Sequence, residues 1–261
     1  YGSNLFSGVS CNSDESNSTF GDWRGKSLLI ADDQNSGQFV YDCEALSNLV
    51  EGEHNEMNVL KLYLDAYQQV VTSGGQRYPD VENALNQYIA QGMLTVNYVG
   101  HGGETGLSLE RIVTIPMIEE WKNIDRLPLF ISATCEFSRF DDPHRTSAGE
   151  IMLMTPNGGA VALLTTTRLV YISTNSALVK NLYENLFDEI NGKPLSMGEI
   201  IRLTKNLSAG DNNMRNFTLL GDPALLLGKP RPNIKTDAIN GSLITTAIDT
   251  LKALSKITIS G

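Results

Sequence analysis

Short apolar runs alternate with helical patterns along most of this chain, and this alternation constrains the fold more than any other feature. The runs are bounded by turn residues and have the length of buried strands. Five of them are clear: 27–31, 59–64, 93–99, 127–133 and 159–165. Strands that alternate with helices form a mostly parallel sheet covered on both faces. The sequence therefore predicts an α/β fold, a mostly parallel sheet flanked by helices on both faces.

Two helical segments carry start signals. Ser147 with Glu150, and Ser196 with Glu199, have the spacing of a capping box, in which each side chain bonds a backbone amide of the other residue. We expect helices to begin at both serines. The segment 175–190 has the apolar spacing of an amphipathic helix.

Two predicted strands end in residues suited to nucleophilic catalysis. The strand 93–99 leads to His101, which two glycines follow, and the strand 127–133 leads to Cys135. Ligands of open parallel sheets bind beyond the carboxyl ends of the strands. Because an imidazole can take the proton of a thiol, the pattern predicts a Cys–His pair for acyl transfer. The amides of Gly102 and Cys135 are the predicted oxyanion donors.

Other interpretations of these residues remain open at the level of sequence. Cysteine is often a buried structural residue, and a turn histidine without a chemical role is the alternative interpretation of His101. The glycines near His101 do not complete a nucleotide-binding motif. His144 lies in the same loop as Cys135 and is the competing base. His54 stands in a charged stretch and is expected to be solvated.

Four acidic residues are candidates for substrate binding. Asp32 and Asp33 end the first strand and can either form a carboxylate pocket for a cationic group or orient the histidine; a helix cap or a solvated loop is the alternative. Glu104 follows the His-Gly-Gly turn and can hydrogen bond the amides of that loop. Glu136 follows Cys135 directly and completes the predicted set.

Composition limits the partners of the chain. It has 261 residues and a net charge of -10, which argues against a nucleic acid as partner. Cys11, Cys43 and Cys135 form neither a disulfide framework nor a metal-binding pattern, so we predict no metal and no cofactor. Cys11 and Cys43 can pair with each other or remain as structural thiols. No apolar stretch is long enough to span a bilayer.

The pattern changes at both ends of the chain. Residues 1–19 are polar and rich in serine and asparagine, which predicts a loop or linker. Residues 20–230 carry the strand–helix alternation and form the predicted catalytic domain. Residues 231–261 turn to short strand-like pieces, which indicate a linker and the start of a β module. We therefore expect the sequence to be a piece of a longer protein.

At its two reactive residues the chain resembles the gingipain family of cysteine endopeptidases. The run 101–105, His-Gly-Gly-Glu-Thr, is similar to the family's His-Gly-x-Glu-Thr turn, and Cys135 stands ahead of a Phe-Asp pair as the family's cysteine does. The runs 158–164 and 220–224 are similar to the strand after the nucleophile and to the closing turn. The resemblance implies a caspase-like fold, with a catalytic histidine after one strand and a catalytic cysteine after the next.

Within that family, the run 135–142, Cys-Glu-Phe-Ser-Arg-Phe-Asp-Asp, resembles the sortases of the type IX secretion system. This implies an enzyme at the cell surface of Bacteroidota, associated with the outer membrane. The implied substrates are proteins with a C-terminal sorting domain, the implied amine acceptor is anionic lipopolysaccharide, and other type IX secretion components are the implied partners. The alternatives are a gingipain-like hydrolytic endopeptidase and a non-catalytic domain that binds sorting signals.

Overall fold

A computed structural model describes residues 21–210, 213–230, 236–244 and 252–260. The chain divides into two compact units, Tyr1–Lys229 and Pro230–Gly261. The predicted N-terminal linker, residues 1–19 with Cys11, lies outside the described residues.

A six-stranded sheet forms the centre of the first unit, and we number its strands in chain order. They are β1 Lys26–Ala31, β2 Asn58–Tyr63, β3 Thr95–Val99, β4 Leu129–Ala133, β5 Ala162–Thr166 and β6 Phe217–Leu220. The spatial order is β6-β5-β4-β3-β1-β2. Neighbours are parallel except β6, which runs antiparallel to β5. The predicted mostly parallel sheet is confirmed.

Six α-helices in the described part of the chain cover the two faces of this sheet. They are α1 Gln38–Glu53, α2 Pro79–Gln91, α3 Ile115–Glu120, α4 Ala148–Met154, α5 Ile172–Leu186 and α6 Met197–Leu207. Apolar side chains of α1, α5 and α6 join one buried cluster with one face of the sheet. Side chains of α2, α3 and α4 join a second cluster on the opposite face. This three-layer arrangement is the fold class that the alternation predicted.

Most predicted elements agree with the structure, and the differences lie at their ends. Helix α4 begins with a complete capping box between Ser147 and Glu150. At α6 the Ser196 side chain accepts a bond from the amide of Glu199. The predicted helix 175–190 begins and ends earlier, at Ile172–Leu186. Its last predicted residues instead pair as a strand with Lys193–Pro194.

Among the residues that the structure describes, short strands outside the six-stranded sheet form four small antiparallel groups. In the first unit, Val70–Thr72 pairs with Gly75–Arg77, and Glu189–Ile190 pairs with Lys193–Pro194. The strands Gly102–Gly103, Gly106–Leu107 and Val113–Thr114 form a three-stranded group. The second unit contains a small antiparallel sheet of its own, built from Ala238–Ile239, Ser242–Leu243 and Ile259–Ser260. In the part of the chain that the structure describes, no helix has the length and apolarity to cross a membrane.

Candidate active site

The ends of β3 and β4 bring His101 and Cys135 to one edge of the sheet. Val99 at the end of β3 is the register partner of Ala133 at the end of β4. His101 and Cys135 each lie two residues beyond these paired positions, so the two chains leave neighbouring strands at the same level. Since paired strands are about 4.8 Å apart, the side chains emerge close together. Both side chains line the same surface cleft.

This cleft has a volume of about 750 Å³ and a largely apolar wall. Phe39 from α1 and the segment Val170 to Ile172, where α5 begins, form part of its lining. Cys135 is half-buried, and its thiol lies 3.8 Å from the carbonyl oxygen of Val170. The segment that leads into α5 therefore lies beside the sulfur, and the thiol donates to the carbonyl oxygen of Val170.

The main chain of His101 is fastened by a buried carboxylate. The amide of His101 donates to Asp32 Oδ2 at 2.9 Å. The hydroxyl of Tyr98 lies 3.0 Å from the same oxygen and 2.6 Å from the carbonyl oxygen of His101. Tyr98 and Asp32 thus hold both sides of the residue that leaves β3. The position of the histidine depends on these two buried side chains.

The structure contradicts the prediction that Asp32 binds substrate, because its side chain is fully buried and does not line the cleft. Burial raises the pKa of Asp32 to about 6, the bond from the His101 amide opposes this shift, and the neighbouring Asp33 adds to it. Of the two roles that the sequence left open, the geometry favours the one that orients the histidine. Asp33 is partly exposed and accepts a 2.7 Å bond from the Tyr78 hydroxyl.

Glu104 and Glu136 form ion pairs with arginines of the loop after Cys135. Arg139 contacts Glu104 at 2.9 Å and Glu136 at 3.7 Å, and Arg145 contacts Glu104 at 3.1 Å. Neither glutamate lines the cleft of His101 and Cys135. Glu104 therefore links the histidine loop to the cysteine loop through charged side chains.

The ring of His101 is held by a residue that the sequence analysis missed. The side-chain nitrogen of Asn35 lies 3.2 Å from Nε2 of the imidazole, and the ring of Phe39 meets the imidazole edge-on with centroids 5.5 Å apart. Asn35, Ser36 and Gly37 all have positive φ, at 59°, 54° and 81°. A run of left-handed residues is rare outside glycine, although asparagine tolerates it better than most. No sequence motif marks this turn.

Gly102 lies where the histidine loop touches the cysteine loop. It pairs with Leu107, while the neighbouring bond runs from the amide of Ser108 to the carbonyl oxygen of His101. Because bonds alternate along an antiparallel pair, the Gly102 amide faces away from its partner, as an oxyanion donor must. A side-chain carbon at Gly102 would stand 2.7 Å from Oγ1 of Thr134. The absence of a side chain is what lets the two loops meet.

The residue after the cysteine has strained backbone. Glu136 has a φ of 51°, which is uncommon for a residue with a side chain. Its amide donates to the carbonyl oxygen of Arg168 at 3.3 Å, and the amide of Ser138 donates to that of Thr166 at 3.0 Å. These bonds fasten the turn to the end of β5. Such strain persists only where the surroundings impose it, and it is common at functional sites.

The remaining histidines and the second described cysteine lie away from this cleft. His144 is exposed, and its amide bonds the side chain of Asp142. The prediction that His54 is solvated is wrong, because its side chain is buried against the ring of Phe187, with ring centroids 5.4 Å apart. Cys43 carries a free thiol in the core, and burial raises its pKa. Its predicted alternative partner, Cys11, lies outside the described residues.

A parallel α/β sheet with a histidine and a cysteine at adjacent strand ends defines the class of α/β cysteine peptidases with a caspase-like architecture. The sequence profile of Peptidase family C25 matches residues 10–228, and the chain belongs to this family. The predicted resemblance to gingipains is thereby confirmed at the level of the family. A comparison with curated protein sequences finds no match.

Solved structures of low sequence identity share the fold. The Arg-specific cysteine proteinase gingipain R (RgpB) matches with a TM-score of 0.65 and 19% identity, over 80% of this chain and 49% of that one. A complex of the pro- and mature domains of Porphyromonas gingivalis RgpB matches with a TM-score of 0.63 and 18% identity, over 80% of this chain and 50% of that one. A structure described as a protease matches with a TM-score of 0.62 and 16% identity, over 92% of this chain and 55% of that one. The chain thus spans about half the length of these proteins.

Proposed function

We propose that this domain is a cysteine endopeptidase that works through a thioester, with Cys135 as nucleophile and His101 as general acid and base. The observation that carries the proposal is the register of β3 and β4, which sets both residues two positions beyond a paired strand end. The shared cleft and the family of the chain support it.

The reaction follows from the groups on this edge of the sheet. Cys135 loses its thiol proton to His101, and the sulfur forms a bond to the scissile carbonyl carbon. The amides of Gly102 and Cys135 donate to the oxyanion of the tetrahedral intermediate. As the carbon–nitrogen bond breaks, His101 gives its proton to the leaving amine. A thioester of the new carboxyl end remains on Cys135.

The second half of the reaction decides between hydrolysis and transpeptidation. An amine or a water molecule gives a proton to His101 and attacks the thioester, and the carbon–sulfur bond breaks. We propose transpeptidation, as in a sortase of the PorU type, on the resemblance of residues 135–142. The substrates are then proteins with a C-terminal sorting domain, and anionic lipopolysaccharide supplies the amine. The enzyme would act at the outer membrane of Bacteroidota, with other type IX secretion components.

Substitution of the two reactive residues tests the peptidase proposal. In the full-length protein, Cys135→Ala and His101→Ala are expected to abolish processing of a client, while His144→Ala retains it. His144 is a suitable control because it lies in the loop after Cys135 but is exposed and does not line the cleft. Full processing by Cys135→Ala, or loss of processing in His144→Ala alone, would contradict the assignment.

Analysis of the product separates the proposed sortase from a hydrolytic endopeptidase. Mass spectrometry of a processed client is expected to show a lipid–glycan adduct on the new carboxyl end, whereas hydrolysis leaves a free carboxylate. A non-catalytic binding domain is tested with a peptide that carries a thiol-reactive group. Preferential labelling of Cys135 over the buried Cys43 is expected from an enzyme, and a peptide that binds without labelling Cys135 would favour the binding domain.

A further inference from the structure

Three carboxylates from two distant segments meet beside the fastening of His101. Asp32 and Asp33 follow β1, and Glu110 lies in the loop after the strand Gly106–Leu107. One oxygen of each lies within 4.8 Å of the others. Asp32 and Glu110 are 0% and 1% exposed, and Asp33 is partly exposed. Three acidic groups are therefore concentrated in a largely solvent-excluded position.

Among the described residues, the groups that donate hydrogen bonds to this cluster are all uncharged. Asp32 Oδ2 accepts from His101 and Tyr98, as described above, and Asp33 accepts from Tyr78. Glu110 accepts from the side chains of Gln69, at 3.3 Å, and Ser108. Among the described residues, no ion pair involves any of the three carboxylates. Buried charges are normally paired or coordinate a metal, since desolvation of an unpaired charge is costly.

The free oxygens of the cluster are the second observation. Asp32 Oδ1 is buried and has no hydrogen-bond partner among the described residues, although Oδ2 of the same carboxylate has two. Oδ1 of Asp33 is buried and unpartnered in the same way. These two adjacent residues thus each keep one acceptor for a ligand. These two oxygens can be satisfied by a proton shared between Asp32 and Asp33, which contributes to the raised pKa of Asp32, or by a cation bound among the three carboxylates.

We propose that Asp32, Asp33 and Glu110 bind one Ca²⁺ ion. Hard oxygen ligands select Ca²⁺ or Mg²⁺ over the softer transition metals, and the cluster contains neither histidine nor cysteine. Ca²⁺ accepts six to eight oxygens in flexible geometry and takes carboxylates in a bidentate manner, whereas Mg²⁺ requires a near-ideal octahedron. Oδ1 of Asp32, Oδ1 of Asp33 and the carboxylate of Glu110 supply three or four oxygens, and water that reaches the exposed side of Asp33 completes the coordination. Bound Ca²⁺ would hold Asp32 and, through it, the main chain of His101.

Calcium binding is to be measured on the whole chain carrying Cys135→Ala, after treatment with a chelator. The result therefore does not depend on the proposed peptidase activity. Isothermal titration with CaCl₂ is expected to show one site, with a Kd of roughly 10⁻⁵ to 10⁻³ M. Glu110→Gln in this background should weaken binding by at least about 10-fold, because changes even beyond the direct ligands cost that much. Glu119→Gln is the matched control, since Glu119 is an exposed glutamate of α3.

Asp33→Asn provides a second variant, because Asp33 is partly exposed and its loss disturbs the core less. Circular dichroism establishes that each variant is folded before titration. Absence of saturable Ca²⁺ binding to the parent chain would overturn the proposal, as would unchanged affinity in a folded Glu110→Gln or Asp33→Asn variant. Tighter binding of MgCl₂ than of CaCl₂ would overturn the assignment to calcium.

Discussion

Replacement of Gly102 by alanine tests whether contact between the two loops positions the reactive residues. The new carbon would lie 2.7 Å from Oγ1 of Thr134, where ordinary contacts begin at 3.4 Å, so the groups must separate by roughly 0.7 Å. Residue 102 has little room to move away from Thr134, because its new carbon would also lie 3.1 Å from the carbonyl oxygen of Gly106 and 3.2 Å from Cδ2 of Leu107. The displacement therefore falls on the chain that carries Cys135.

Overpacking of this size is expected to cost about 1–3 kcal/mol in the free energy of unfolding. Displacement of His101 relative to Cys135 is expected to lower kcat/KM by about 10- to 100-fold, since a shift near 1 Å at a reacting pair has effects of this order. Denaturant unfolding measures the first effect. Cleavage of a client peptide measures the second, and the rate of Cys135 alkylation supplies a readout without turnover.

Gly103→Ala is the matched control, because a side-chain carbon at Gly103 meets nothing within 4 Å. It should leave stability and activity nearly unchanged. Thr134→Ala removes the obstructing oxygen, which has no hydrogen-bond partner among the described residues. The double variant Gly102→Ala with Thr134→Ala should therefore recover most of the loss. Equal behaviour of the Gly102 and Gly103 variants, or no recovery in the double variant, would refute the reasoning.

Three further predictions concern the support of the two loops. Asn35→Ala should reduce kcat/KM about 10-fold and leave KM nearly unchanged, because it frees the imidazole but does not line the cleft; equal loss in kcat and gain in KM would contradict it. Glu104→Gln breaks the contacts to both loop arginines and should destabilise by about 1–3 kcal/mol in denaturant unfolding, with an effect below 0.5 kcal/mol counting against it. Gly106→Ala would set a carbon 2.2 Å from the carbonyl oxygen of Val113 and should cost about 3 kcal/mol or more; unchanged thermal unfolding would count against it.

The fold and the reactive pair were accessible from the sequence because they depend on local patterns. Short apolar runs predict buried strands, and the parallel direction of these strands follows from their alternation with helices. His101 and Cys135 lie directly after two such runs, so their placement requires only that the strands be neighbours. The sheet order satisfies that requirement, with β3 beside β4.

The support of the pair was not accessible in the same way, since it depends on contacts between distant segments. Asn35 reaches the imidazole from a turn whose left-handed backbone has no sequence signature apart from its glycine. Glu110 joins Asp32 and Asp33 across a long separation in the chain. Burial of Asp32 likewise depends on what packs over the end of β1. A run of two aspartates looks the same in sequence whether it faces a substrate or the interior.

Strand β1 carries neither reactive residue, but the segment that follows it helps to set the position of His101. The exit of β1 supplies Asp32 for the main chain of His101 and Asn35 for its ring, and α1, which follows, adds the edge contact of Phe39. Strands β3 and β4 bring the histidine and the cysteine to one edge, but they do not orient the imidazole. β1 neighbours β3 on the side away from β4, and Asp32 and Asn35 support the histidine without lining the cleft, whereas Phe39 forms part of the cleft wall. A substitution in the β1–α1 turn should accordingly change catalysis without changing which residues react.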